Sequence, residues 1–563
     1  MIRTQTKIRR WIAGLLLICL LCSMTACSGN GKSDASTNFA ANSASSGETA
    51  IVDPEDLTAE DEEQTTGATE VPTPVVESLG GFAVSSSTEE STRVGMQILS
   101  SGGNAVDAAA AISFMLSVSE PYSSGIGGGG IMLVYDSKTG KARTLDYYGC
   151  AGSSPVMTDQ VAVPGVVAGM EKALELWGTM SLADVIQPSI DYAEEGFTAS
   201  DMFIYRLSFS DNLRRYNPAF TNLREGDVLK QKELAETFRA IQAGGSDAFY
   251  RGEIAEKIAE KCALTTEDLA NYEAKVRKVV RSEFNGWKML GSYAPSSSLT
   301  VLQMLKVAEM LDIPDPAVDP DGYLDVLQTA TTVAYKSRSA RLVDPDFYKF
   351  RPKSSLSEEY LQKRIASLSN YNWMDDPERE CTTQFAVIDN NGLIVCVTNS
   401  LSNTWGSYIC VGGFYLNDAL TNFGGEGKNA YEPGKRPRTH FSPIICVGPQ
   451  GELLAIGTPG GVEIPKLIAP VLIDIIRRGT DVQTAVDRGR AFYDSDGLLC
   501  IESQDQHANI VDVDKIDKLY YYSNSHLIFG CTSVVGYDPT DGLYAVCDLR
   551  RDTSSAMVYN YEH

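Results

Sequence analysis

Between Arg379 and Ser400 the chain reads RECTTQFAVIDNNGLIVCVTNS, two apolar runs parted by Asp389-Asn390-Asn391-Gly392. Asn-Gly is a strong tight-turn dipeptide, so Gln384–Ile388 and Leu393–Asn399 are expected to pair as a β-hairpin. Counting outward from Asn391-Gly392 brings Ser400 beside Thr382. Two hydroxyls facing each other at the open end of an apolar hairpin call for a chemical reason. A threonine hydroxyl is a weak nucleophile until a base takes its proton. The chain has only four histidines, His440, His507, His526 and His563, and none stands in a Ser-His-Asp pattern. A threonine that becomes the first residue of a chain carries its own base, because an α-amino group has a pKa of about 8. Thr382 lacks that amine while Cys381 precedes it.

Downstream, YICVGGFYL, SPIICVG and ELLAIG read as further strands, followed by the amphipathic helix IPKLIAPVLIDIIRRG. Upstream, Ser87 and Glu90 have capping-box spacing at the head of a helix with Val94, Ile98 and Leu99 as its apolar stripe and Gly102 as its stop. Asn104 caps the next helix, AVDAAAAISFMLSV, which is apolar on nearly every face and belongs in the core. GIGGGGIMLVYD follows. It lacks the Lys-Ser/Thr of a phosphate loop and leads into a strand where a phosphate-binding helix should start, so its glycines are read as a close approach of packed layers. Ser181 to Leu311 reads mainly as helices. Blocks of strands and helices without an internal repeat give a layered α+β domain.

The chain has 563 residues and a net charge of −25, spread widely; nucleic-acid binding, which needs clustered Lys and Arg, is excluded. Arg3, Lys7, Arg9 and Arg10 precede WIAGLLLICLLCSMTA, short for a membrane span and shaped like a secretory signal. Ala26-Cys27 resembles a lipobox, although Met24 stands where leucine is usual. Residues 1–26 are therefore expected to be a signal peptide and Cys27 a lipidated anchor at the bacterial cell surface. From Ser28 to about Ser78 the composition is too polar to offset ordering entropy, and 27–78 is read as a flexible linker. Nine cysteines follow Cys27, an odd number with no C-x-x-C pair, which argues against a disulfide framework or a zinc site; most should be buried small apolar groups. No His/Asp/Glu cluster has metal-ligand spacing, and no cofactor is expected.

GGNAVDAA from Gly102, SSGIGGGG from Ser123, AVPGVVAGM from Ala162, TTQFAVID from Thr382, GKRPRTHFSP from Gly434 and GTPGG from Gly457 occur in this order. Together they resemble the γ-glutamyltranspeptidase family of N-terminal-nucleophile hydrolases, over roughly Gly80 to the C-terminus. The resemblance implies a four-layer αββα sandwich and a precursor that cuts itself between Cys381 and Thr382. Residues 79–381 and 382–563 would then be the large and small chains of a heterodimer. It implies Thr382 as nucleophile, Ser400 as the hydroxyl orienting it, and Gly460 and Gly461 as the oxyanion pair. Cys381 is read as a bystander at the cut. The substrate would be a small-molecule or peptide amide, with water or an amine as acceptor.

Recognition departs from the family pattern. Tyr148 in DYYGCAG stands where the family's carboxylate-binding arginine is usual, and Asn422 replaces the aspartate that holds the glutamyl amine. Ala419 replaces a glutamine, and Thr439 and His440 replace paired serines. Ser402 stays among the substrate-binding positions, and Arg438 is a candidate to resupply a positive charge. Hydrogen bonds to charged groups contribute about 1.5–3 kcal/mol each, so loss of both clamps weakens γ-glutamyl binding by roughly two to four powers of ten. A lipid-anchored, unprocessed binding protein of the same fold is the alternative.

Overall fold

The structure is a computed structural model that describes residues 78–563, apart from 155–158, 374–380, 503–518, 522–528, 552 and 562–563. The expected leader, Cys27 and the linker up to residue 77 lie outside the described residues, as do His507, His526 and His563.

The hairpin forms as expected, between strands Cys381–Ile388 and Leu393–Ser402. Its turn is one step longer than a two-residue loop. Gly392 N donates to Asp389 O at 3.0 Å and Asp389 N to Leu393 O at 3.1 Å. The Asp389 carboxylate ties the turn together, accepting from the amides of Asn391 and Leu393 and, through Oδ2, from Ala105 at the start of the buried helix. The register pairs Ser400 with Thr382 and then slips, so that Ser402 faces Cys381.

This hairpin lies in the middle of a seven-stranded sheet, flanked by Gly81–Ser86 on one side and Gly129–Asp136 on the other. A second, six-stranded antiparallel sheet contains Trp287–Ser292, Ile444–Val447, Leu453–Gly457 and Ser533–Asp538. Strand alternation sorts the side chains. Phe385, Val387, Val395 and Val397 pack on the helix side with Ala105–Ser119, whose fifteen residues are all buried. Ala386, Ile388, Ile394 and Cys396 point between the sheets onto Leu290, Ile445, Ala455 and Val535. The far face of the second sheet, through Ile444, Cys446, Leu454 and Ile456, is covered by helices Ser298–Met310, Pro320–Arg341 and Ile464–Leu472. The result is the αββα sandwich.

Three local readings change. Thr88, not Ser87, caps the helix Glu89–Ser100, accepting from Ser91 N, while the Ser87 hydroxyl donates to Glu120 at 2.8 Å. Lys275–Arg277, Val279–Phe284 and Trp287–Ser292 are strands inside a region read as mainly helical. The expected strand YICVGGFYL is a small hairpin, Cys410–Val411 against Phe414–Tyr415. The glycine run is a close approach, as expected: a Cβ on Gly128 would lie 2.4 Å from Ser400 O. All nine cysteines are free, and burial pushes the Cys396 and Cys531 thiols up to about 12, so both stay protonated.

Candidate active site

The two threonines near the start of strand Cys381–Ile388 part company because alternate residues face opposite sides. Thr383 turns to the helix layer, where its hydroxyl donates to Glu120 Oε2 at 2.6 Å, at the C-terminal end of Ala105–Ser119. Thr382 turns toward the second sheet, and its hydroxyl donates to Gly460 O at 2.8 Å. Both are buried. Ser400 shares the face of Thr382, and its hydroxyl donates to Cys381 O at 2.5 Å, onto the carbonyl of the Cys381–Thr382 peptide bond. Ser400 Oγ in turn accepts from Ser402 N at 2.7 Å, which the slip in register permits. Ser400 is thereby locked between the backbone of its own strand and the Cys381–Thr382 bond.

Gly460 and Gly461 lie in the turn from strand Leu453–Gly457 to helix Ile464–Leu472, where the sequence placed them. Gly460 has φ +147°, which disfavours any residue with a Cβ. Among the described residues neither glycine amide donates a hydrogen bond. Two N–H groups are left for an incoming oxygen, as an oxyanion hole requires. Tyr335, whose hydroxyl donates to Val462 O, braces the turn from the helix layer.

Glu120 and Arg551 are the groups that sequence reasoning missed. Arg551 Nη1 lies 3.5 Å from both Glu120 Oε1 and Thr382 O, and both side chains are buried. Glu120 thus ties Ser87, Thr383 and Arg551 together beside Thr382. Cys381 Sγ donates to Tyr122 O at 3.0 Å and lies 3.3 Å from Ser123 Oγ. The thiol is turned into the helix layer.

Ser402 leads from Cys381, which it faces across the hairpin, to Asn422 and Tyr148. Its hydroxyl approaches Asn422 Oδ1 at 3.5 Å, and Asn422 Nδ2 donates to Tyr148 Oη at 2.7 Å. All three are buried and none carries a charge. Tyr148 is fixed from behind: its amide donates to Asp146 Oδ1 at 3.1 Å, and its carbonyl accepts from Arg436 Nε at 3.2 Å. Its ring stands edge-on to Phe441, 5.2 Å between centroids. Ala419 and Asn422 share one 3-10 turn. Arg438 Nη1 donates to the carbonyls of Arg338 and Ser339 at the end of helix Pro320–Arg341. Thr439 and His440 are fully buried; Thr439 Oγ1 accepts from Phe441 N, and the His440 ring stacks on Tyr335 at 6.3 Å. Among the described residues no group of His, Cys, Asp and Glu is placed to hold a metal.

A four-layer αββα sandwich with a threonine at the head of a central strand is the architecture of an N-terminal-nucleophile hydrolase. The fold is that of a cephalosporin acylase from Bacillus halodurans, with a TM-score of 0.74 at 23% identity, covering 90% of this chain and 100% of that one. The Gamma-glutamyltranspeptidase family profile matches residues 91–558, and the chain belongs to that family of enzymes. It is 36% identical over 405 residues to the capsule biosynthesis protein CapD proenzyme of Bacillus anthracis, covering 70% of this chain and 75% of the relative. It is 29% identical over 532 residues to the glutathione hydrolase proenzyme of Bacillus subtilis, covering 83% and 90%. To the Acylase ACY 1 proenzyme of a Pseudomonas species it is 28% identical over 512 residues, covering 82% and 91%.

Proposed function

We propose that this chain is a proenzyme that cuts its own Cys381–Thr382 bond and then uses Thr382 to transfer an acyl group, other than γ-glutamyl, from an amide to water or an amine. The observation that carries this reading is the Ser400 hydroxyl 2.5 Å from Cys381 O, on the bond whose scission frees the Thr382 amine. In the first step Thr382 Oγ1 attacks the Cys381 carbonyl carbon, and Ser400 O–H stabilises the charge that builds on the oxygen. The C–N bond breaks as the Thr382 hydroxyl proton passes to the departing nitrogen, an ester replaces the amide, and water hydrolyses that ester, releasing Cys381 as a carboxylate and restoring the Thr382 hydroxyl. The new α-amine, with a pKa of about 8, then serves as the proton acceptor for Thr382 Oγ1. A substrate amide is attacked in the same way, its oxyanion meeting the N–H groups of Gly460 and Gly461. The acyl-enzyme passes to water or an amine.

Two pieces, 79–381 and 382–563, remain folded together as a heterodimer. The neutral Ser402–Asn422–Tyr148 chain offers no anion to a glutamyl ammonium, which supports a different acyl group. The basic residues ahead of the apolar leader and the Ala26-Cys27 pair support anchoring at the bacterial cell surface through lipidated Cys27. Among the described residues no helix is long and apolar enough to cross a membrane.

Denaturing electrophoresis with N-terminal sequencing tests the reading. Two bands are expected, the smaller beginning at Thr382. A lasting full-length band would overturn it.

A further inference from the structure

Arg206 is a buried arginine without an acid. It stands on the short helix Asp201–Leu207 and is 2% exposed. Its Nη1 donates to Thr404 Oγ1 at 3.2 Å, and its Nε meets no acceptor. The guanidinium lies 5.8 Å from the Tyr122 ring centroid and 5.5 Å from that of Phe209. Among the described residues no carboxylate pairs with it. Glu120, two residues from Tyr122, is already shared by Ser87, Thr383 and Arg551.

The surroundings tie this cation to the reaction centre from two sides. Thr404, its hydrogen-bond partner, is two residues beyond Ser402, which faces Cys381 across the hairpin and begins the neutral chain to Asn422 and Tyr148. Tyr122, its ring partner, holds the Cys381 thiol through its carbonyl. Trp405 locks the segment in place, its Nε1 donating to Arg206 O at 2.9 Å and its amide to Tyr122 O at 2.9 Å. A buried charge is retained where an opposite charge answers it, and among the described residues none does. Arginine also presents its donors as a planar fork that fits a carboxylate.

We infer that Arg206 is a specificity-determining residue that binds a carboxylate of the substrate. It supplies from the Tyr122–Thr404 side the positive charge that Tyr148 does not. The inference rests on the acyl-transfer reading above and adds the charge of the substrate to it. The carboxylate can belong to the acyl donor or to an amino-acid acceptor, and the experiment separates the two.

The donor arm compares glutaryl-p-nitroanilide with its methyl ester on the processed wild-type heterodimer and on Arg206→Gln. The acceptor arm compares glycylglycine with glycylglycine amide at a fixed donor. Arg206→Gln is expected to raise KM for the acid about 10–100-fold in one arm, with kcat and the neutral partner's KM nearly unchanged. Arg206→Lys should recover part of the loss, and it carries the same comparison if Arg206→Gln does not fold. An acid-to-neutral KM ratio unchanged in both arms overturns the role of Arg206 while leaving acyl transfer standing. Absence of a fragment beginning at Thr382 in the wild type overturns the underlying reading, and this inference with it.

Discussion

Ser400 and Thr382 are cross-strand partners whose hydroxyls point in different directions: Ser400 holds the Cys381 carbonyl, whereas Thr382 donates to Gly460 across the gap between the sheets. The two hydroxyls are therefore held on separate tethers. For the attack proposed above, Thr382 Oγ1 has to leave Gly460 O. The move is a side-chain rotation, with both strands held by the ladder.

Ser400→Ala should leave the fold intact and slow self-cleavage. Removal of one oxyanion donor typically costs about 10²–10³ in rate, and that range is expected here. Ser400→Thr, which keeps the hydroxyl, should process close to the wild-type rate. A time course of fragment appearance on denaturing gels measures both.

Thr382→Ala should produce a stable full-length protein and no acyl adduct, because the attacking oxygen is gone. Thr382→Ser keeps an oxygen on the same backbone and should still split, more slowly. Intact-mass spectrometry separates the outcomes, with one mass for Thr382→Ala and two for Thr382→Ser.

Glu120→Gln should destabilise the whole domain. Glu120 is 1% exposed and answers Arg551, which is 2% exposed, while also receiving Thr383 and Ser87. Removing one partner of a buried ion pair costs about 3–5 kcal/mol. Thr383→Val removes only a hydrogen bond to the same carboxylate and should cost about 1–3 kcal/mol. Denaturant midpoints of the two variants give the comparison.

Asp548 gives an acid limb to stability. Burial raises its pKa, yet the Arg490 and Arg550 guanidiniums and the amides of Thr532 and Arg550 outweigh burial and hold the carboxyl below its ordinary value. A depressed native pKa contributes stability that is present above the ordinary carboxylate value and lost as pH falls through the native value. Asp548→Asn should therefore be clearly less stable than wild type at pH 7. The gap should narrow as pH drops below the ordinary carboxylate range, as followed by urea unfolding at several pH values.

The hairpin and its register were legible because the turn dipeptide and the two-residue alternation point to the same pairing. The buried helix was legible because AVDAAAAISFMLSV leaves no polar face. Other features were not. Thr88 and Ser87 are adjacent hydroxyl residues, and only backbone geometry selects between them as the cap. The strands between Lys275 and Ser292 carry charged side chains, as in KVRKVVRSEF, and two of them lie at sheet edges, where the apolar signal is weakest. Glu120 and Arg551 meet across 431 residues of chain, and no local pattern announces such a pair. Arg438 was readable as a charge beside the altered motif, but its direction, toward the end of helix Pro320–Arg341, depends on how that helix packs.

Asn422→Asp should move specificity toward γ-glutamyl substrates. The change is nearly isosteric. Aspartate keeps an acceptor for the Ser402 hydroxyl, and the Tyr148 hydroxyl, now receiving the Asn422 amide at 2.7 Å, can turn to donate to the new carboxylate. The added negative charge then faces the position that the family uses for the glutamyl ammonium. A charge-assisted contact contributes about 1.5–3 kcal/mol, equivalent to roughly 10–150-fold in affinity. KM for γ-glutamyl-p-nitroanilide should fall by that order, while KM for glutaryl-p-nitroanilide, which has no ammonium, should stay the same or rise. If both values move together, Asn422 acts through the shape of the pocket and its neutrality is not what excludes glutamate.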